Sequence, residues 1–139
     1  MRNRSRYEKT NARRSEAEYK AWGRKNDRCH CCGIYEAAAQ TSRMGLTTHH
    51  IVRKFRASEP CVLLRLCWSV CHMAAEGSNV VWRGIRVPNL TQGHCLWLKR
   101  ERCPDEWDPE RLAEILGHAL PEIEKPPDFF FFMRAQAGP

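Results

Sequence analysis

The sequence predicts an α+β fold built round a metal-binding knuckle, on three observations. Cysteines occur as two close pairs, Cys29-x2-Cys32 and Cys67-x3-Cys71, each able to offer two ligands to one tetrahedral zinc ion. Between the pairs, Leu46-Thr47-Thr48-His49-His50-Ile51-Val52 is rich in β-branched residues and reads as a strand. Helix-start signals stand on either side: Ser15-x-x-Glu18 is a capping-box pattern, and Asp108-Pro109 offers an N-cap followed by proline in the first turn.

In chain order, residues 1–13 are polar and basic and read as a mobile arm, and a helix runs from Ser15 to about Lys25. Gly33, just after Cys32, suits a left-handed turn that lets backbone amides face the thiolates. Residues 34–45 allow one or two helical turns. The strand follows, then a loop carrying Arg53, Lys54 and Arg56, then a buried approach, Cys61 to Cys67, into the second knuckle. A helix begins near Cys71 and stops at Gly77. Val80–Val87 alternates in part and reads as a hairpin strand ended by Pro88. A short amphipathic helix covers 93–102 around Leu96, Trp97 and Leu98, and another runs from Asp108 to Gly117. The tail holds Pro121, Pro126, Pro127 and four consecutive phenylalanines, Phe129–Phe132, too many for one regular element to bury. These segments divide the chain into a basic arm and helix (1–28), a zinc-stabilised core (29–77), a hairpin strand with helices packing on that core (78–120), and a Pro/Phe-rich tail (121–139).

The net charge of +7 is concentrated at the start, where residues 1–28 hold ten Lys/Arg against four Asp/Glu. A basic arm on a nearly neutral body points to a polyanion, nucleic acid first. Arg2, Arg4, Arg6, Arg13 and Arg14 on the arm, with Arg53, Lys54 and Arg56 after the strand, are the candidate contacts. The bland reading of the same run is a solvated tail. No apolar segment follows Met1 and none is long enough to span a membrane, so a cytoplasmic, reducing setting is expected. There Cys31, Cys61, Cys95 and Cys103 are free thiols. The tryptophans read as core, and His30, His94 and His118 as residues without a site role.

His49, His50 and His72 are left over beside a site that four cysteines already satisfy. Imidazole titrates near neutrality and also binds divalent metals, so a second, catalytic metal and activation of water are the apt roles. Glu76, four residues after His72, shares its helix face. Successive strand residues face opposite sides, so His49 and His50 serve one phosphate only if the strand twists or ends there.

Cys-x2-Cys-Gly, then His-His-Ile-Val, then Leu-Cys-x3-Cys-His, over residues 29–77, resembles the zinc-containing HNH endonucleases of small phage and mobile-element type. The resemblance implies a ββα-metal fold flanked by N- and C-terminal helices, with Cys29, Cys32, Cys67 and Cys71 on a structural Zn²⁺. It implies His50 as general base, and His49 and His72, with Glu76, on Mg²⁺ or another divalent cation. Double-stranded DNA is the implied substrate, in a host cytoplasm if the chain is phage-encoded, and the Phe-rich tail is open to a protein partner. There are two departures. Val62 stands where the family has an asparagine that holds the loop orienting the base, and Val62→Asn suggests itself as a repair. The second knuckle is one residue longer than Cys-x2-Cys, which leaves His72 or Cys61 open as fourth zinc ligand. The alternative reading is a catalytically weak or inactive zinc-knuckle protein that binds nucleic acid or regulates.

Overall fold

The computed structural model describes residues 6–53 and 59–137, with side chains from 16 onward. Helix α1 spans Arg6–Lys25, starting well before the capping box and leaving Ser15 inside the helix. Residues 6–14 contain no glycine or proline and several strong helix formers, so nothing stops the helix from extending. The chain then makes the first knuckle. Gly33 takes φ +83° there, and the Cys29 N–H donates to the Ile34 carbonyl at 2.9 Å. Helix α2, Glu36–Ser42, is tied to the next strand because the Leu46 N–H donates to the Glu36 carboxylate at 2.9 Å.

Strand β1, Leu46–His50, pairs antiparallel with β2, Leu63–Cys67, with Thr47 opposite Leu66 and His49 opposite Leu64. The expected strand is two residues too long. Ile51 and Val52 are both buried, which breaks the alternation, and the chain bends away after His50. A π-helical turn, Trp68–His72, runs on into one α-helical turn, α3, Met73–Ala75, and Gly77 at φ +80° ends it. The order strand, strand, helix therefore occupies the middle of an α+β fold.

Val80–Val87 forms two strands rather than one, β3 (Val80–Trp82) and β4 (Ile85–Val87). Arg83 and Gly84 both take positive φ, 51° and 79°, the geometry of a tight hairpin turn. Helix α4, Gln92–Arg102, starts at the Thr91 cap, and α5, Pro109–Leu116, is capped by Asp108 and stopped by Gly117 at φ +85°. The tail forms α6, Asp128–Gln136, which docks on the body. Phe130 is buried, Phe129 meets Trp82 and Phe131 meets Trp97, while Phe132 stays 57% exposed. Arg134 of α6 donates to the carbonyls of Cys29, His30 and Cys31, binding the tail to the first knuckle. Among the described residues no helix is long and apolar enough to cross a membrane.

Both faces of β2 are covered, and Leu63, Leu64 and Leu66 are fully buried. Fully buried Lys99 of α4 donates to the Leu63 carbonyl at 2.9 Å and to the Glu106 carboxylate at 2.6 Å. The Trp22 indole N–H of α1 donates to the same carboxylate at 2.9 Å. One carboxylate thus joins α1, α4 and β2. Glu106→Ala would strand a buried ammonium, and we expect a loss of about 3 kcal/mol, the low end for breaking a buried pair because Glu106 reaches water. Urea denaturation checks it, and a loss below about 1 kcal/mol would contradict the network's role.

Candidate metal centres

The two knuckles bring Cys29, Cys32, Cys67 and Cys71 into one buried cluster, each sulfur within 4.8 Å of the others. The Cys32 and Cys67 sulfurs are 3.7 Å apart. A tetrahedral site with Zn–S of about 2.3 Å has an edge of about 3.8 Å, so the spacing suits a metal rather than a disulfide. The longer second knuckle is accommodated by its wide π-helical turn, in which the Cys71 N–H donates to the Cys67 sulfur at 3.5 Å. Cys71 therefore completes the set. His72 faces a second cluster, and Cys61 sits in the turn Pro60–Val62 ahead of β2.

The protonation of this cluster favours a cation. Burial alone would push the Cys29 thiol up, but hydrogen bonds from Cys32, Cys67 and Cys71 outweigh it and hold Cys29 well below the ordinary thiol range. The Cys29 thiolate in turn pushes Cys32 and Cys71 up. Charge on Cys29 leaves Cys32 and Cys71 holding their protons, which a divalent metal would replace. Buried Arg43, at the end of α2, lies 3.6 Å from the Cys67 sulfur and 3.8 Å from Cys32. Burial opposes its charge, but the neighbouring Cys67 and Cys32 sulfurs prevail and raise its pKa. Nothing in the cysteine spacing points to Arg43.

The second cluster joins His49, His72 and Glu76, whose ligand atoms also lie within 4.8 Å of one another. His72 Nε2 is 3.1 Å from Glu76 Oε1, and His49 Nδ1 is 3.6 Å from the same oxygen. The Thr47 hydroxyl donates to the Leu66 carbonyl at 3.0 Å, so it accepts from His72 Nδ1–H. The hydrogen-bond network thereby assigns the tautomer, leaving His72 Nε2 with a lone pair aimed at a carboxylate oxygen. Burial first, then Arg53 and His50, brings His72 to about 4, so the ring is neutral at physiological pH. Two acceptors at 3.1 Å repel each other, and a cation between them would turn that repulsion into coordination. Arg53 pairs with the other Glu76 oxygen.

His50 ends β1, which resolves the problem of opposite strand faces. His49, His50, Arg53, His72 and Glu76 border one cavity of about 320 Å³. The Tyr19 ring of α1 stacks on His50, centroids 5.5 Å apart and planes within 13°. Burial, then Arg53, lowers the His50 pKa and keeps the ring able to accept a proton. Val62 is fully buried, so Val62→Asn would bury an amide in the core, and the repair suggested by the sequence does not suit this fold.

Arg2, Arg4, Lys54 and Arg56 lie outside the described residues, as do the side chains of Arg6, Arg13 and Arg14 on α1. A second cleft, of about 560 Å³, adjoins the site through His72 and Thr48, and Lys20, Arg24, Arg65 and Trp68 line it. Sequence reading missed these cations because they stand out only once α1 lies against β1. It lies close because Gly23 faces Arg65 and Thr48, where an added Cβ would sit 3.2 Å from the guanidinium.

His30, His49 and His72 are all depressed, to about 4, 3 and 4, with burial the largest cause in each. The unfolded chain takes up these protons below about 6.5, while the folded protein refuses them. Their contribution to stability is therefore complete above pH 6.5 and lost as pH falls towards 4. We expect the melting temperature to drop over that window, with the three imidazoles still neutral by NMR near pH 5. Imidazoles titrating near 6.5 would contradict the burial argument.

No family model, curated protein or solved structure matches the chain.

Proposed function

We propose that the chain is a metal-dependent endonuclease of HNH type, hydrolysing DNA phosphodiester bonds on a ββα-metal core that a structural zinc holds together. One observation carries this reading: His50 and the possible ligand set His49, His72 and Glu76 border the same cavity. Pure binding needs neither a positioned base nor a second donor set.

A divalent cation held by His49, His72 and Glu76 would neutralise charge on the scissile phosphate and the leaving oxygen. Two imidazoles in that set favour Ni²⁺ or Zn²⁺, while the carboxylate also suits Mn²⁺ or Mg²⁺. His50 takes the proton from water, the oxygen attacks phosphorus, and the bond to the leaving sugar oxygen breaks. That oxygen is protonated by solvent. Arg53, beside Glu76, is placed to hold a phosphate oxygen once a cation has taken over the carboxylate.

The cleft beside α1 is the natural path for the strand, since Lys20, Arg24 and Arg65 line it without an acidic residue among them. We expect Lys20→Ala with Arg24→Ala to weaken DNA binding and to lower the salt-dependence slope by about 1.8, two phosphate contacts' worth. An unchanged slope would place the strand elsewhere.

Nicking of supercoiled plasmid by zinc-loaded protein with Mg²⁺, Mn²⁺ or Ni²⁺ tests the function. DNA binding without cleavage under any of the three would favour the binding or regulatory alternative, for which Val62 in place of asparagine is the motivating residue.

A further inference from the structure

The backbone just after His50 is held from outside residues 29–77. Gln92, the first residue of α4, donates its side-chain N–H to the Ile51 carbonyl at 2.9 Å. The Ile51 N–H in turn donates to the Val62 carbonyl at 2.8 Å. Both polar groups of the residue after His50 are thereby fixed, one by main chain and one by an amide brought from another helix. The ring itself is fixed differently. Among the described residues none hydrogen-bonds a His50 ring nitrogen, and the Tyr19 ring lies flat against it. Stacking sets the plane of the imidazole while leaving both nitrogens open.

We propose that Gln92 and Tyr19 are the positioning residues for His50, Gln92 fixing the backbone that follows it and Tyr19 its ring, in the absence of a side-chain amide at position 62. This rests on the endonuclease reading. The physical need is general. A base must sit within hydrogen-bond reach of the attacked water's proton, and a misplacement of about 1 Å can cost about 10²-fold. Val62 supplies no polar side chain and is fully buried, so orientation has to come from elsewhere. Gln92 also borders the cavity that His49, His50 and Glu76 line, where an amide can act without entering the core.

The test measures kcat and KM for plasmid nicking, with zinc content and melting temperature as controls. Tyr19→Leu and Gln92→Met are each expected to lower kcat by about 10- to 10²-fold with KM unchanged. Tyr19→Phe keeps the stacked ring and is expected to rescue the rate. Gln92→Glu keeps the shape but loses the donor, and is expected to behave like Gln92→Met. In a His50→Ala background neither Tyr19→Leu nor Gln92→Met should lower the residual rate further, because both act through the missing ring. The His50 ring protons should show the ring-current shift of a stacked partner in the wild type and in Tyr19→Phe, and lose it in Tyr19→Leu.

A raised KM with unchanged kcat would make these residues substrate contacts and overturn the proposal. So would full kcat in Tyr19→Leu and Gln92→Met, or an equal loss in the His50→Ala background. If those variants keep full rate while His50→Ala is dead, only the positioning role fails. If wild type and His50→Ala are equally inactive, the endonuclease reading fails and takes the positioning role with it.

Discussion

Purified protein is expected to carry one zinc per chain, and Cys29→Ser or Cys67→Ser to leave it unfolded. All four sulfurs are buried, and the two knuckles come from opposite ends of the core, Cys29 and Cys32 ahead of β1 and Cys67 and Cys71 after it. Without a cation, Cys29 holds its charge only by keeping neighbouring thiols protonated. Structural zinc contributes roughly 10–16 kcal/mol in small knuckle peptides, comparable with the whole stability of an ordinary domain. Elemental analysis should find the metal, and a strong chelator should collapse the far-ultraviolet circular dichroism. A folded, zinc-free sample would end the structural-zinc assignment.

His50→Ala is expected to remove about 10²–10⁴-fold of the cleavage rate while DNA affinity and zinc content stay at wild-type levels. Its ring borders the cavity and touches Tyr19 rather than the cysteine cluster, so rate should be lost and fold kept. His72→Ala should also abolish cleavage, but for a different reason. It removes a nitrogen from the triad and the ring N–H that the Thr47 hydroxyl accepts, so a cation held there should bind more weakly. Raising the metal concentration should recover part of the His72→Ala rate and none of the His50→Ala rate. Equal rescue of both would mean that His50 is a ligand rather than the base.

What was legible in the sequence was local. The cysteine pairs, the His49-His50 doublet, Glu76 one turn after His72 and the Asp108-Pro109 helix start are spacings of a few residues, set by single turns. The parts that escaped come from far along the chain. Arg43 reaches the sulfurs only because α2 ends beside them, and Gln92 meets Ile51 across 41 residues. Arg134 caps the first knuckle's carbonyls from the tail, so a Phe run with no clear place in the sequence belongs to the body of the protein. The second hairpin strand was missed because Arg83-Gly84 lacks the Asn-Gly signature of such turns.

Cys71 and His72 are neighbours in the chain, yet one belongs to the sulfur cluster and the other to the nitrogen–oxygen cluster. The stretch from Cys67 to Glu76 therefore works as a ruler for both. Each further residue of α-helix turns the chain by about 100° and advances it about 1.5 Å. One amino acid inserted or deleted in this stretch would aim ligands of one cluster away from their partners, whatever its identity. Point changes at exposed Trp68 or half-buried Ser69 leave that phase intact. Across related chains, variation in this ten-residue window should appear as altered letters and almost never as altered length.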